Sequence, residues 1–173
     1  IAGFIAINLS GLLRAIPVLA FLIAALPLLG TGDPPTLVAL VVLGIPPVLL
    51  NTYTGIRGID PATTDAARGM GMTIWQILTH IQIPLVLPVL AAGIRTAAVQ
   101  IIATATLAAY IGAGGYGVYI TDGVATFNNT EILAGAIPVT LLARIIEVLM
   151  SWLQHVLTPT GLRIQVMPEI AKA

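Results

Sequence analysis

Three ionisable residues, Arg14, Arg95 and Glu147, lie inside long apolar runs of the sequence. A charge inside an apolar span is costly, so each of these residues is a candidate functional site. Each lies 10 or 11 residues from one end of its run, which is a depth of about 15 Å at the helical rise of 1.5 Å per residue. We therefore predict that Glu147 forms an ion pair with Arg95 or with Arg14.

Two alternatives stay open for these charges. Arg144 lies three residues before Glu147 and would pair with it along one helix. The arginine side chains could also extend towards lipid headgroups instead of pairing across the protein.

The polar residues at the spans, together with a glycine run, are candidates for a solute path or a gate: Asn51, Gln100, Thr104, Gly114 and Gly115. The alternative is that the polar side chains only bond neighbouring helices, for about 1 kcal/mol each. The glycine run superficially resembles a nucleotide-binding loop, but the strand–helix–strand context is not predicted. We expect it to be flexible backbone at the outer end of a span.

The sequence offers little for catalysis, metal binding or nucleic acid. It contains no cysteine, and its two histidines, His80 and His155, are far apart, so no metal site is predicted. No nucleophile–base grouping supports an intramembrane enzyme, and no GxxxxGK[ST] phosphate loop is present. Net charge is zero, which gives no electrostatic basis for binding nucleic acid.

The composition predicts an all-α integral membrane protein. The chain is 58% apolar and 8% charged, against about 25% charged in a soluble domain, and its mean hydropathy is +1.03. Four apolar segments are long enough to span a bilayer, with prolines expected to kink them at Pro17, Pro46 and Pro138: residues 3–29, 35–53, 85–111 and 132–157. The sequence starts inside an apolar run at Ile1, so we expect about four to five spans and a native N-terminal span that is lacking here.

The connections between spans divide by charge. Residues 29–35 and 112–131 carry acidic residues and no Lys or Arg, whereas residues 51–84 and the tail after Leu157 carry basic ones. The positive-inside rule places the two basic segments in the cytoplasm and the two acidic ones outside. These assignments alternate, as four successive spans require.

The polar stretch between the second and third spans is predicted to form two short helices. Asp60 would cap the first, which runs over residues 61–68, and Gly69 and Gly71 would interrupt it. Thr73 would cap the second, and Pro84 would end the excursion before the chain re-enters the membrane. An ordinary amphipathic loop at the membrane interface is the simpler alternative.

This stretch, DAARGMGMTIWQILTHIQIP over residues 65–84, resembles the EAA signature of ABC-importer permeases. The spacing matches throughout, with Asp65 where the family usually has Glu. The resemblance implies that residues 61–79 are a cytoplasmic coupling helix that docks on an ATPase. It implies that the docking residues are Asp65, Ala66, Ala67 and Gly71. To these we add two apolar neighbours, Met72 and Trp75, which could pack on a partner or anchor at the interface.

Several flanking segments look like permeases for osmoprotectants, among them NTYTG at residues 51–55, AGIRTA at 92–97 and IGAGGYG at 111–117. The resemblance covers nearly all of the chain up to about residue 160. It implies a type I ABC importer (MetI-like) transmembrane fold, with residues 1–173 forming a single permease domain.

The same resemblance implies a multi-pass subunit of the bacterial cytoplasmic (inner) membrane that imports glycine betaine, carnitine, choline or proline. Its implied partners are a cytoplasmic ABC ATPase dimer that binds ATP and Mg²⁺, a second permease subunit and an external solute-binding protein. One alternative is a permease for methionine or another small solute. Another is a channel or secondary transporter that needs no motor.

Overall fold

The computed structural model describes residues 16–157 and Gly11. Within these residues the regular structure is all helical. The α-helices are α1 (Val18–Leu29), α2 (Asp33–Arg57), α3 (Pro61–Gly69), α4 (Ile74–Ile77), α5 (Ile83–Ala105), α6 (Tyr116–Ala125) and α7 (Asn129–Leu157). A π-helical turn, Leu78–Gln82, joins α4 to α5, and a 3-10 turn, Thr106–Ile111, follows α5. Arg14 and the basic tail, and with them the predicted Arg14–Glu147 pair, lie outside the described residues.

Three helical runs in the described part are long and apolar enough to cross a membrane: Asp33–Arg57, Ile74–Ile111 and Asn129–Val156. They correspond to the second, third and fourth predicted spans. Helix α1 has only 12 residues, and the part of the first predicted span before Ile16 is not described. The predicted kink at Pro17 is instead a helix boundary, because Pro17 has ψ 127° and α1 begins at Val18.

Helices α4 and α5 form one continuous helical run, so the chain stays helical where Pro84 was predicted to end the excursion. Pro84 lies in the first turn of α5, directly after the π-helical turn. The π-helical turn directly before it bonds the Ile83 N–H to the Leu78 carbonyl. The predicted docking segment is therefore joined to the following span by continuous helix.

Helices α2 and α5 pack closely because glycine removes side-chain bulk at their crossing. A Cβ on Gly93 would lie 2.8 Å from the Asn51 Cβ, and one on Gly55 would lie 2.9 Å from Val86. Pro46, which is fully buried, lies in the same part of α2. Small residues at a helix crossing let two membrane helices approach through van der Waals contact.

Residues 116–125, predicted as part of a flexible outer loop, form helix α6 and pack against α7. A Cβ on Gly135 would lie 2.6 Å from the Tyr116 carbonyl oxygen. Gly117 lies directly against the backbone of Thr106. The glycines here permit helix packing, and only Gly112 (φ 80°) and Gly115 (φ 92°) serve as left-handed turns before α6.

Candidate functional site

Arg95, Arg144 and Glu147 form a charged cluster between α5 and α7. The Arg95 guanidinium donates to Glu147 Oε1 at 2.7 Å, and Arg144 donates to Glu147 Oε2 at 2.9 Å. The pairing across helices and the pairing along one helix, which the sequence left as alternatives, are therefore both present. Arg95 and Glu147 are about a third exposed, and the Arg144 side chain is 70% exposed.

A second contact fixes the relation of the two helices. Gln154 Nε2 donates to the Pro88 carbonyl at 3.2 Å. Gln154 lies seven residues after Glu147, and Pro88 lies seven residues before Arg95. Because the two contacts advance in opposite directions by the same interval, α5 and α7 run antiparallel with a steady register over about two helical turns.

Helix α7 carries a polar stripe that our sequence analysis missed. Its members recur at intervals of four, three, four and three residues, which places them on one helical face: Thr140, Arg144, Glu147, Ser151 and Gln154. The opposite face exposes apolar side chains such as Leu142, Leu149 and Val156. The spacing was visible in the sequence and is the signal that would have found the stripe.

Two cavities meet at the ion pair. The larger one, the Ser151 cavity, has a volume of about 640 Å³ and includes Arg95, Arg144, Glu147, Ser151, Trp152 and His155 in its lining. The smaller one, the Gln100 cavity, has a volume of about 430 Å³ and includes Arg95, Glu147, Thr96 and Gln100. The Arg95–Glu147 pair thus belongs to both linings, with one cavity towards each end of the groove between α5 and α7.

The residues predicted to line a solute path do not lie together in the structure. Gln100 lines a cavity, but Asn51 donates to the Pro47 carbonyl and packs on Gly93, and Thr104 donates to the Gln100 carbonyl. Asn51 and Thr104 therefore serve helix structure in this conformation. Gly114 and Gly115 are exposed in the turn before α6 and are not brought to the ion pair.

The predicted docking segment has the local structure that the sequence indicated. Asp60 Oδ1 accepts from the Ala62 N–H at 2.9 Å and caps α3. Thr73 and Gln76 form a reciprocal capping box at the start of α4. Gly71, with φ 80°, makes the turn between the two helices.

The side chains in this segment divide into exposed and buried sets. Asp65 and Ala66 are exposed, and Asp65 accepts from Arg68 at 3.2 Å. Ala67 is fully buried and Met72 is half-buried, so the Ala67 side chain is placed for internal packing rather than for contact with a partner. A patch of three apolar side chains, each 75% exposed or more, lies beside them: Met70, Ile74 and Trp75. Of these, only Trp75 was predicted from the sequence as a docking residue.

Comparison with known proteins places this architecture among transport proteins. Residues 5–160 match the family described as binding-protein-dependent transport system inner membrane component. The chain is 44% identical over 163 residues to the carnitine transport permease protein OpuCB of Listeria monocytogenes, covering 94% of this chain and 74% of the relative. It is 41% identical over 157 residues to the glycine betaine/carnitine/choline transport system permease protein OpuCB of Bacillus subtilis (strain 168), covering 91% and 72%.

The fold also matches a solved structure, an inward-facing conformation of the MetNI methionine ABC transporter. The TM-score is 0.77 at 21% sequence identity, over 88% of this chain and 74% of that chain. Sequence identity this low supports likeness of fold alone, and that likeness agrees with the predicted MetI-like arrangement of helices. The chain belongs to the ABC-importer permease family of binding-protein-dependent transport system inner membrane components.

Proposed function

We propose that this chain is the membrane-spanning permease subunit of a bacterial ATP-driven importer for an osmoprotectant. The observation that carries the proposal is the identity of more than 40% with two osmoprotectant permeases along nearly the whole chain. The solute class is that of those relatives, glycine betaine, carnitine or choline, to which we add proline. The site of action is the bacterial cytoplasmic (inner) membrane, with residues 1–173 acting as one permease domain.

The motor docks on residues 61–79. The exposed patch of Met70, Ile74 and Trp75 supplies apolar contact area beside the exposed Asp65 and Ala66. Large apolar side chains that are exposed close together on a polar segment are typical of a protein interaction site. ATP and Mg²⁺ bind to the ATPase partner, and closure of the ATPase dimer moves this segment.

Movement passes from the docking segment to the translocation path through the helical run Ile74–Ile111. This run is unbroken from the docking patch to the 3-10 turn, and it carries Arg95 on the way. A displacement of α4 therefore shifts the wall of both cavities as one body. The path is completed by a second permease subunit, and an external solute-binding protein delivers the solute at the opposite membrane face.

Reconstitution tests this function directly. The chain is assembled with its ATPase and binding protein in proteoliposomes, and uptake of labelled glycine betaine is measured with competing carnitine, choline, proline and methionine. We expect uptake that needs ATP and that the osmoprotectants, but not methionine, compete away. Uptake without ATP, or competition by methionine alone, would reject the proposal.

A further inference from the structure

Charges at the middle of a span need water or a partner, and among the described residues Glu147 is the one carboxylate that pairs with Arg95 and Arg144. Arg144 lies 15 residues from the start of α7 and 13 from its end, and its side chain is 70% exposed. An exposed guanidinium at that depth would be costly against lipid. The face of α7 that carries it must therefore meet an aqueous space or protein.

The polar stripe extends this face along α7. Ser151 and Gln154 continue it on one side of Glu147, and Thr140 continues it on the other. The Ser151 cavity lies along this face, whereas the Gln100 cavity is lined by α5 residues together with Glu147. Both volumes fall within the usual range of small-molecule sites, about 300–1,000 Å³. A small polar solute thus meets polar side chains in each cavity, with the Arg95–Glu147 pair between them.

The charges of the cluster favour one kind of solute. Two guanidiniums and one carboxylate carry a net positive charge, so one positive charge lacks a carboxylate within the cluster. Arginine binds carboxylates through paired N–H donors. The face of Trp152, which lines the Ser151 cavity and is 62% exposed, attracts quaternary ammonium groups.

We propose that Arg95, Arg144 and Glu147 form a transit site for zwitterionic solutes that bear a carboxylate and a quaternary ammonium group. This inference rests on the proposed function and names its solute class. The solute carboxylate replaces Glu147 on an arginine, and the solute cation replaces that arginine at Glu147 and Trp152. Every charge stays paired while the solute passes between the cavities, so separation of the ion pair leaves no isolated charge.

A cation without a carboxylate gains less from the same site. Choline would meet Glu147 and Trp152 but would leave both guanidiniums without an incoming carboxylate. Unpaired charges in a partly desolvated site are strongly unfavourable. The site therefore favours glycine betaine or carnitine over choline.

The test uses the complete importer in proteoliposomes with saturating binding protein. Arg144→Gln is the informative variant because this side chain is mostly exposed, and Arg144→Lys restores the charge. We expect Arg144→Gln to raise the KM for glycine betaine about tenfold with little change in kcat, to leave kcat/KM for choline unchanged or higher because one unpaired cation is removed, and to be largely rescued by Arg144→Lys. Arg57→Gln, the same chemical change in the last turn of α2 and outside the cluster, is the control and keeps the wild-type KM.

The outcomes separate the two proposals. A wild-type complex that imports no osmoprotectant would reject the proposed function. A wild-type complex that imports glycine betaine, with an Arg144→Gln variant that changes both solutes equally or lowers only kcat, would overturn the transit site and leave the function standing.

Labelling tests the aqueous face independently, since the chain has no cysteine of its own. Ser151→Cys should react with a water-soluble maleimide, and glycine betaine with ATP should slow the reaction. Leu149→Cys, on the opposite face of α7, should not react. Equal reactivity at the two positions would contradict the proposed site.

Discussion

At the scale of single residues, Glu147 is the centre of the charged groove. Its two oxygens accept from arginines on different helices, so its removal would leave both Arg95 and Arg144 without this partner. From depth along the helices the sequence predicted Arg95 or Arg14 as the partner, with Arg144 as an alternative, and the geometry shows both Arg95 and Arg144 in contact with Glu147. The function of this cluster stays a prediction that transport measurements can decide.

A charge swap tests whether the cross-helix pair matters for transport. We expect Arg95→Glu and Glu147→Arg each to lower uptake about tenfold or more, because each places like charges at a contact of 2.7 Å. The combined variant restores opposite charges and should recover a substantial part of the lost uptake. Failure of the double variant to exceed either single variant would contradict a role for the pair.

At the scale of elements, the predicted docking segment depends on a turn that only glycine adopts easily. Gly71 has φ 80°, a conformation that costs other residues roughly 1–2 kcal/mol. Gly69, two residues earlier, has no unusual φ and open space around its Cβ position. Alanine substitutions at Gly71 and Gly69 therefore form a matched test and control.

We expect Gly71→Ala to weaken association with the ATPase about 5–30-fold, because the strained turn redirects Ile74 and Trp75. Gly69→Ala, which only adds a helix-forming residue, should bind the ATPase as the wild type does. Co-purification and titration of the detergent-solubilised complex provide the measurement. Equal binding by the two variants would show that the turn does not position the docking patch.

The packing of α6 on α7 gives a second prediction for an element. A Cβ at Gly135 would lie 2.6 Å from the Tyr116 carbonyl and 2.7 Å from Ile120, so we expect Gly135→Val to destabilise the protein by about 1–3 kcal/mol. Ala134→Val, at the neighbouring exposed position, should have little effect. Thermal unfolding in detergent distinguishes the two variants. A wild-type melting temperature for Gly135→Val would refute the close packing of α6 on α7.

At the scale of the whole molecule, the three described spans fix which connections share a side of the membrane. Residue 63 follows the run Asp33–Arg57, whereas residue 126 lies between the runs Ile74–Ile111 and Asn129–Val156. One span separates the two connections. They must therefore face opposite sides of the membrane.

Single cysteines report this topology cleanly. In intact cells, a membrane-impermeant maleimide should label Thr126→Cys and should reach Thr63→Cys only after the membrane is opened. The basic residues Arg57 and Arg68 near position 63 predict that orientation. Labelling of both positions in intact cells would refute it.

The sequence by itself determined the membrane class, the three described spans, the caps at Asp60 and Thr73, and Glu147 as a residue that pairs with an arginine. These follow from hydropathy, from residue types at helix ends and from depth along a helix, all of which are local properties. Helix α6 was not predicted because the glycines in this part of the sequence were interpreted as flexible backbone. In the structure, the lack of side chains at these glycines allows neighbouring helices to pack closely. The continuous run through Pro84 was missed because a π-helical turn has no clear sequence signal.

Only the tertiary structure decided which residues meet across helices. It gave Glu147 two arginines, placed one cavity on each side of the ion pair, and turned Ala67 inward while it exposed Met70 and Ile74. The physical reason is that exposure and charge pairing depend on the register between helices. A single helix sequence specifies its own faces, but the neighbouring helix decides which face is covered and which charge is neutralised.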